Sequence, residues 1–196
     1  MCLAEVKKNL EARGFTTGIF ATAAEAADYL DSVIDRTTVG FGGSMTLQQM
    51  GLYERLGSHN EVHWHWKEGA AERTAAARAA VYLSSANGLA ETGEIINIDG
   101  AGNRVASTLY GHEKVYLVAG RNKIAPTEED AVFRARNTAA PLNARRKQMR
   151  TPCAVKGDRC YDCKSPDRIC RGLVVLWGPM MGMETEILLV DEDLGM

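Results

Sequence analysis

The sequence predicts an α/β fold with a mostly parallel sheet and an inserted β-hairpin. Short apolar runs such as KVYLVAG (114–120) alternate with longer segments of helical composition. N-cap patterns at Thr22-x-x-Glu25 and Thr127-x-x-Asp130 mark two helix starts. With 196 residues, 45% of them hydrophobic, the chain is long enough to form one domain with its own core.

The first half of the chain predicts an alternation of helices and strands. Leu3, Val6 and Leu10 share one side of the first helix, which ends at Gly14. The segment 61–66, EVHWHW, alternates at period two and therefore predicts a strand. The predicted elements are, in order, helix 2–13, strand 15–21, helix 23–34, strand 37–41, a helix ending before Gly57, strand 61–66, helix 70–80 and strand 81–85.

The second half contains the predicted hairpin. Residues 94–98 and 104–108 are β-prone runs joined by the turn DGAGN, which is typical of two antiparallel strands. The remaining predicted elements are strand 114–120, a basic helix from Thr127 to near Pro141, and strands 173–177 and 186–190.

Composition excludes several classes of function. The net charge of -2 gives no reason to expect nucleic-acid binding. The N-terminus has no apolar run like that of a secretory signal, and no stretch approaches the roughly 18–20 apolar residues needed to span a bilayer. We therefore expect a soluble cytoplasmic protein, in which clustered cysteines favour metal or redox chemistry over structural disulfides.

A glycine-serine loop follows the strand 37–41. Gly42 and Gly43 allow the backbone to turn tightly and to approach a ligand. The helix that follows begins with free N–H groups, and Ser44 and Thr46 add hydroxyl donors, so the loop 42–46 (including Met45) suits a phosphate or a carboxylate. A tight strand–helix turn capped by Ser44 or Thr46 is the alternative.

Four of the five cysteines lie in the polar segment TPCAVKGDRCYDCKSPDRIC: Cys153, Cys160, Cys163 and Cys170. The central Cys-x2-Cys spacing is a normal chelate spacing, so zinc or an iron–sulfur cluster is one hypothesis. A redox-active disulfide and four free thiols are the alternatives. Cys2 is expected to be incidental.

Further polar candidates lie near predicted strand ends. Lys123 and Arg121 follow the strand 114–120, where they can pair with a substrate carboxylate or phosphate. Asn87, Glu91, Asn97 and Asp99 cluster around glycines, and turn formation is their alternative role. His63 and His65 would share one face of a strand as metal ligands or as ordinary surface groups. The cations 145–147 predict the solvated end of a helix, with an anion contact as the lesser alternative.

Four runs of the sequence together resemble the lactate-utilisation (LUD) domain family in its small stand-alone form. They are VGFGGSMTLQQMGLYERL, ANGLAETGEIINIDGAGNRVAS, KVYLVAGRNKIAPTEEDAVFRARN and SPDRIC. The resemblance covers residues 37–196, so we expect a LUD-type domain there with residues 1–36 as a helical segment packed on it. It implies a Rossmann-like three-layer α/β/α fold, similar to that of the sugar-phosphate isomerase and CoA-transferase superfamily. In that superfamily an acidic residue near a comparable strand end acts as base or nucleophile, which makes Glu91 the candidate acid–base group.

The resemblance implies an accessory or ligand-binding subunit in the oxidation of L-lactate, or of a similar 2-hydroxy acid, to the 2-keto acid. Its expected partners are a small anionic ligand, bound at residues 42–46 and Asn87 with help from Lys123, and iron–sulfur protein subunits. A homodimer is the default expectation for this class. An independent isomerase or acyl- or CoA-transferase is one rival, and a metal- or redox-responsive interaction protein is the other.

Overall fold

A computed structural model describes residues 2–196 and contains two sheets. The six-stranded main sheet has the order β1-β10-β7-β4-β2-β3 with every neighbouring pair parallel, and the second sheet has the order β8-β5-β6-β9. The strands are β1 Thr16–Phe20, β2 Thr38–Phe41, β3 Glu61–His63, β4 Val81–Ser85, β5 Gly88–Ala90, β6 Ile95–Asp99, β7 Lys114–Gly120, β8 Ile124–Ala125, β9 Gly172–Leu176 and β10 Glu184–Val190.

Helices pack on both faces of the main sheet. They are α1 Leu3–Ala12, α2 Ala23–Val33, α3 Met45–Gln49, α4 Leu52–Leu56, α5 Glu72–Ala76, α6 Asn103–Leu109, α7 Glu128–Arg134, α8 Ala140–Arg146 and α9 Pro152–Lys156. A π-helical segment, Ala135–Ala139, joins α7 to α8 into one continuous helical rod. No helix in the described part of the chain has both the length and the apolar run that crossing a bilayer requires.

The core lies on both sides of β7, as a central strand of a parallel sheet requires. Val115, Leu117 and Ala119 face one core, which also contains residues of α1 and of the second sheet. Tyr116 and Val118 face the other, with α2, α3 and α4. The alternation along β7 places helices on one face and a helix plus a small sheet on the other, so the predicted α/β class is confirmed.

Both predicted N-caps are confirmed, since Thr22 Oγ1 accepts a hydrogen bond from the backbone N–H of Glu25 and Thr127 Oγ1 accepts one from Asp130. The prediction that the second of these helices ends near Pro141 is wrong. The rod continues to Arg146, and Pro141 lies in the first turn after the π segment, where a missing N–H group does least harm.

The predicted hairpin is wrong, because β6 does not pair with residues 104–108. β6 pairs antiparallel with β5 before it and with β9 far along the chain, whereas residues 103–109 form α6. Asp99 is the reason, because its Oδ2 accepts hydrogen bonds from the N–H groups of Arg104 (3.1 Å) and Val105 (3.3 Å) and starts a helix there. The predicted strand 61–66 and helix 70–80 are shorter than expected, at β3 and α5.

Candidate functional site

A polar cavity of about 330 Å³ opens where β2, β4 and β7 end. Parallel strands bring their carboxyl ends to one edge of the sheet. The order of the strands reverses at β2, because β3 lies on one side of β2 and the next strand, β4, lies on its other side. Ligands of open α/β sheets bind at such a reversal. Its lining includes Gly43–Thr46 after β2, Ser85–Asn87 at the end of β4 and Lys123 after β7.

Lys123 lies at the floor of this cavity and is 3% exposed. Its ammonium Nζ donates hydrogen bonds to Thr46 Oγ1 (2.7 Å) and to Ser85 Oγ (2.6 Å). Ser85 is itself held in place, since its hydroxyl donates to the carbonyl of Val118 at 2.6 Å. An ammonium group has three N–H donors, so Lys123 keeps one for a ligand.

Burial, together with smaller effects of the nearby cations Arg134 and Arg104, lowers the pKa of Lys123 to about 7. An amine with this pKa exchanges its proton near neutral pH, which is the property of a general acid or base. No carboxylate forms a salt bridge with Lys123 among residues 2–196, so a bound anion would be its natural counter-ion.

Arg104, from α6, organises the cavity beside Lys123, and its side chain is 11% exposed. Its guanidinium donates to the side-chain Oδ1 atoms of Asn97 and Asn87 (2.5 and 2.8 Å) and to the carbonyls of Ser85 and Ile98. Because Asn87 Oδ1 accepts from Arg104 and from the Ile98 N–H group, its amide Nδ2 is left to face the cavity. Arg104 thus positions the cavity wall.

The cavity has a large excess of positive charge. Its one carboxylate side chain, Asp99, already accepts four backbone N–H hydrogen bonds, from Gly100, Ala101, Arg104 and Val105. The cationic side chains in the lining are Arg73, Arg104, Lys123, Lys147, Arg168 and Arg171. Such a cavity favours an anionic ligand.

An aromatic wall closes another side. The Trp66 ring stacks on buried Trp64 with ring centroids 5.5 Å apart, and the Arg146 guanidinium lies 4.6 Å from the Trp66 centroid. His65 also lines the cavity, and burial together with Arg73 and Lys147 lowers its pKa, so the imidazole is neutral at pH 7. The wall therefore offers a flat apolar surface and a neutral imidazole next to the cations.

Six of the seven residues predicted to bind the anion come together in this cavity: Gly43, Ser44, Met45, Thr46, Asn87 and Lys123. Gly42 lies just beneath it, packed so closely that a Cβ there would lie 2.8 Å from Ser84 Oγ. Ser44 caps α3, with its Oγ accepting from the Leu47 N–H group.

Glu91 and Arg121 lie outside the cavity lining. Glu91 is in the β5–β6 turn, where its backbone bonds to Ala125 and to the Asn9 side chain. Arg121 pairs at the surface with Asp191 and Asp193. His63 lies apart from His65 and pairs with Glu72 (2.9 Å).

The four clustered cysteines line a second, smaller cavity next to the first. They are partly buried free thiols, and Cys2 is an exposed one. Arg168 and Ile169 line both cavities.

Sequence reasoning did not identify Arg104, Ser85 or Lys147 as cavity residues. Ser85 carried a usable signal, because it ends a predicted strand next to the predicted ligand residue Asn87. Arg104 was placed on a strand. Lys147 was assigned chiefly to a solvated helix end, with an anion contact as the lesser alternative, and no pattern placed it at this cavity.

Comparison with known proteins agrees with the resemblance seen in the sequence. The family model described as "LUD domain" matches residues 3–190. A crystal structure of a DUF162 family protein from Deinococcus radiodurans superposes with a TM-score of 0.56 at 16% identity, covering 96% of this chain and 95% of that chain. At this identity the likeness shows the fold alone. No curated protein matches the chain.

Proposed function

Because the chain belongs to the LUD domain family, which implies a role linked to lactate utilisation, we propose that it is the anion-binding subunit of a system that oxidises L-lactate or a similar 2-hydroxy acid. The observation that carries the proposal is Lys123, a buried amine with hydroxyl partners and no carboxylate partner in a cation-lined cavity. A small 2-hydroxy or 2-keto acid carries the carboxylate that such a site lacks.

The pKa of Lys123 fits the proton chemistry of this oxidation. Conversion of a 2-hydroxy acid to the keto acid removes two electrons and two protons, one of them from the hydroxyl group. When the carboxylate of L-lactate lies on the other cations of the lining, a neutral Lys123 can accept the hydroxyl proton. The resulting ammonium can then pair with pyruvate through its keto oxygen and carboxylate. The two electrons and the second proton, which leaves the Cα–H bond, require acceptors, and iron–sulfur partner subunits with their own basic groups would supply them.

A second candidate follows from the size of the cavity. A volume of about 330 Å³ exceeds what a three-carbon acid fills, and the cations extend from Lys123 to Lys147 and Arg171. A phosphorylated or CoA-type ligand would be long enough to contact all of these cations, and its apolar part would contact Trp66. That ligand would make the chain an isomerase or an acyl- or CoA-transferase.

The test is calorimetric titration of the full chain with L-lactate, pyruvate, inorganic phosphate and acetyl-CoA. We expect pyruvate and L-lactate to bind, and Lys123→Met to weaken them about 10–100-fold, the value of one charge-assisted hydrogen bond. Lys8→Met removes an exposed lysine on α1 and is the matched control. Binding of acetyl-CoA or phosphate alone would favour the second candidate, and unchanged pyruvate affinity in Lys123→Met would refute the assigned role.

A further inference from the structure

We propose that Cys153, Cys160, Cys163 and Cys170 bind a four-iron, four-sulfide cluster in the small cavity beside the anion site. All four side chains line that one cavity, although they are spread over eighteen residues of chain. Four thiolates are the usual ligand set of such a cluster. This site is separate from Lys123 and does not depend on the function proposed above.

Local hydrogen bonds between side chains and backbone groups bring the four thiols together. Cys153 is in α9, which Thr151 caps by accepting the Ala154 N–H group. Arg168 donates to the carbonyls of Cys170 (2.8 Å) and Cys163 (2.9 Å) and so ties the end of the segment to its middle. Asp162 has a φ of 44°, so the backbone makes a left-handed turn between Cys160 and Cys163.

The spacing of the sulfurs favours a cluster over a single zinc ion. A tetrahedral zinc site with Zn–S bonds of about 2.3 Å holds its sulfurs about 3.8 Å apart. Among residues 2–196, no three of these sulfurs lie within 4.8 Å of one another. The cavity volume is about 10 Å³, which is room for about one water-sized sphere, so binding of a cluster requires the segment 157–171 to move outward. A cubane cluster spaces its ligands more widely, because eight atoms lie between them.

The surroundings suit an anionic cluster. Ala140, Pro141 and Ala144 form an apolar wall from the helical rod, and Ile169 closes the other side. Four thiolates leave the cluster with net negative charge, which Arg136 and Arg168 at the cavity would offset. Cys160 Sγ accepts a hydrogen bond from the Asp162 N–H group at 3.4 Å, an interaction that tunes the potential of such clusters.

The test uses the full chain, purified without oxygen and reconstituted with iron, sulfide and a thiol reductant. We expect about four iron and four acid-labile sulfide per chain. Broad visible absorbance should bleach on reduction, and the reduced protein should give an electron paramagnetic resonance signal. Cys163→Ser should lose most of the bound iron, whereas Cys2→Ser should bind as much as the wild type.

Three results would overturn the proposal. One zinc per chain without sulfide would identify a structural zinc site, and stable disulfides without metal would identify a redox pair. Iron content equal in the wild type and Cys163→Ser would mean adventitious binding. Far-UV circular dichroism and the urea-denaturation midpoint of Cys163→Ser separate cluster loss from misfolding, because both report on the fold and neither depends on iron.

Discussion

The two neighbouring cavities are built in different ways. The anion cavity has its floor at the ends of β2, β4 and β7, and hydrogen bonds that Arg104 donates and Asp99 accepts fix its wall. The cysteine cavity depends on residues 157–171, which contain no helix or strand and are held chiefly by side-chain bonds from Arg168. The fold itself forms the first cavity, whereas we expect a bound cluster to complete the second.

The sharpest test of this difference is Arg104→Leu. It removes the guanidinium donors to Asn97 Oδ1, to Asn87 Oδ1 and to the carbonyls of Ser85 and Ile98 in a largely buried region. We expect a loss of about 3–5 kcal/mol in the free energy of unfolding. Urea denaturation measures it, with the exposed Arg78→Leu as a control expected within about 0.5 kcal/mol. A loss as small as the control's would mean that the wall does not depend on Arg104.

The pH dependence of stability tests Lys123 directly. Its folded pKa is about 7, below its usual 10.5, so between these values the unfolded chain binds more protons than the folded one. The contribution of this group to stability is therefore lowest below pH 7 and rises towards pH 10.5, by about 1.4 kcal/mol per pH unit. Urea denaturation measures the free energy of unfolding of the wild type and of Lys123→Met across this range. The difference between the two free energies should rise with pH at this slope. A difference that does not change with pH would contradict the shifted pKa.

Ligand affinity should show the opposite trend. A bound carboxylate favours the protonated amine and raises the pKa of Lys123. Pyruvate should therefore bind with uptake of a proton above pH 7, and its affinity should fall by up to about tenfold per pH unit. Calorimetry in two buffers of different ionisation enthalpy measures the proton uptake. Affinity that is flat from pH 7 to 9 would place the carboxylate on other cations.

The smallest effect is expected in the cysteine segment. Brief trypsin treatment of the cluster-free protein should cut first after Arg159 and Lys164, which are exposed, and should spare the buried Lys123. Reconstitution with iron and sulfide should slow these cuts a few-fold, because the cluster ties four points of the segment together. Mass spectrometry of the fragments identifies the sites. First cuts within the loops that follow β2, β4 and β7 would mean that the anion cavity, and not the cysteine cavity, is the less stable of the two.

The sequence was sufficient to predict the class of fold and the meeting of loop 43–46 with Lys123. Strand ends follow from apolar runs, and parallel strands place their ends at one edge. It could not reveal the partner of β6, because β9 lies more than seventy residues later and the intervening DGAGN turn imitates a hairpin. Arg104 was hidden by the same error, since its role depends on the helix that Asp99 starts.

The π segment between α7 and α8 has a consequence for variation among related chains. One extra residue in a helical turn shifts the phase of all that follows by about 100°. After the π segment, one side of the rod lines the cysteine cavity with Ala140, Pro141 and Ala144, and a neighbouring side lines the anion cavity with Asn143 and Lys147. Deleting a single residue from 135–139 would rotate the later face away, so an insertion or deletion of one residue here can alter ligand choice without touching any strand.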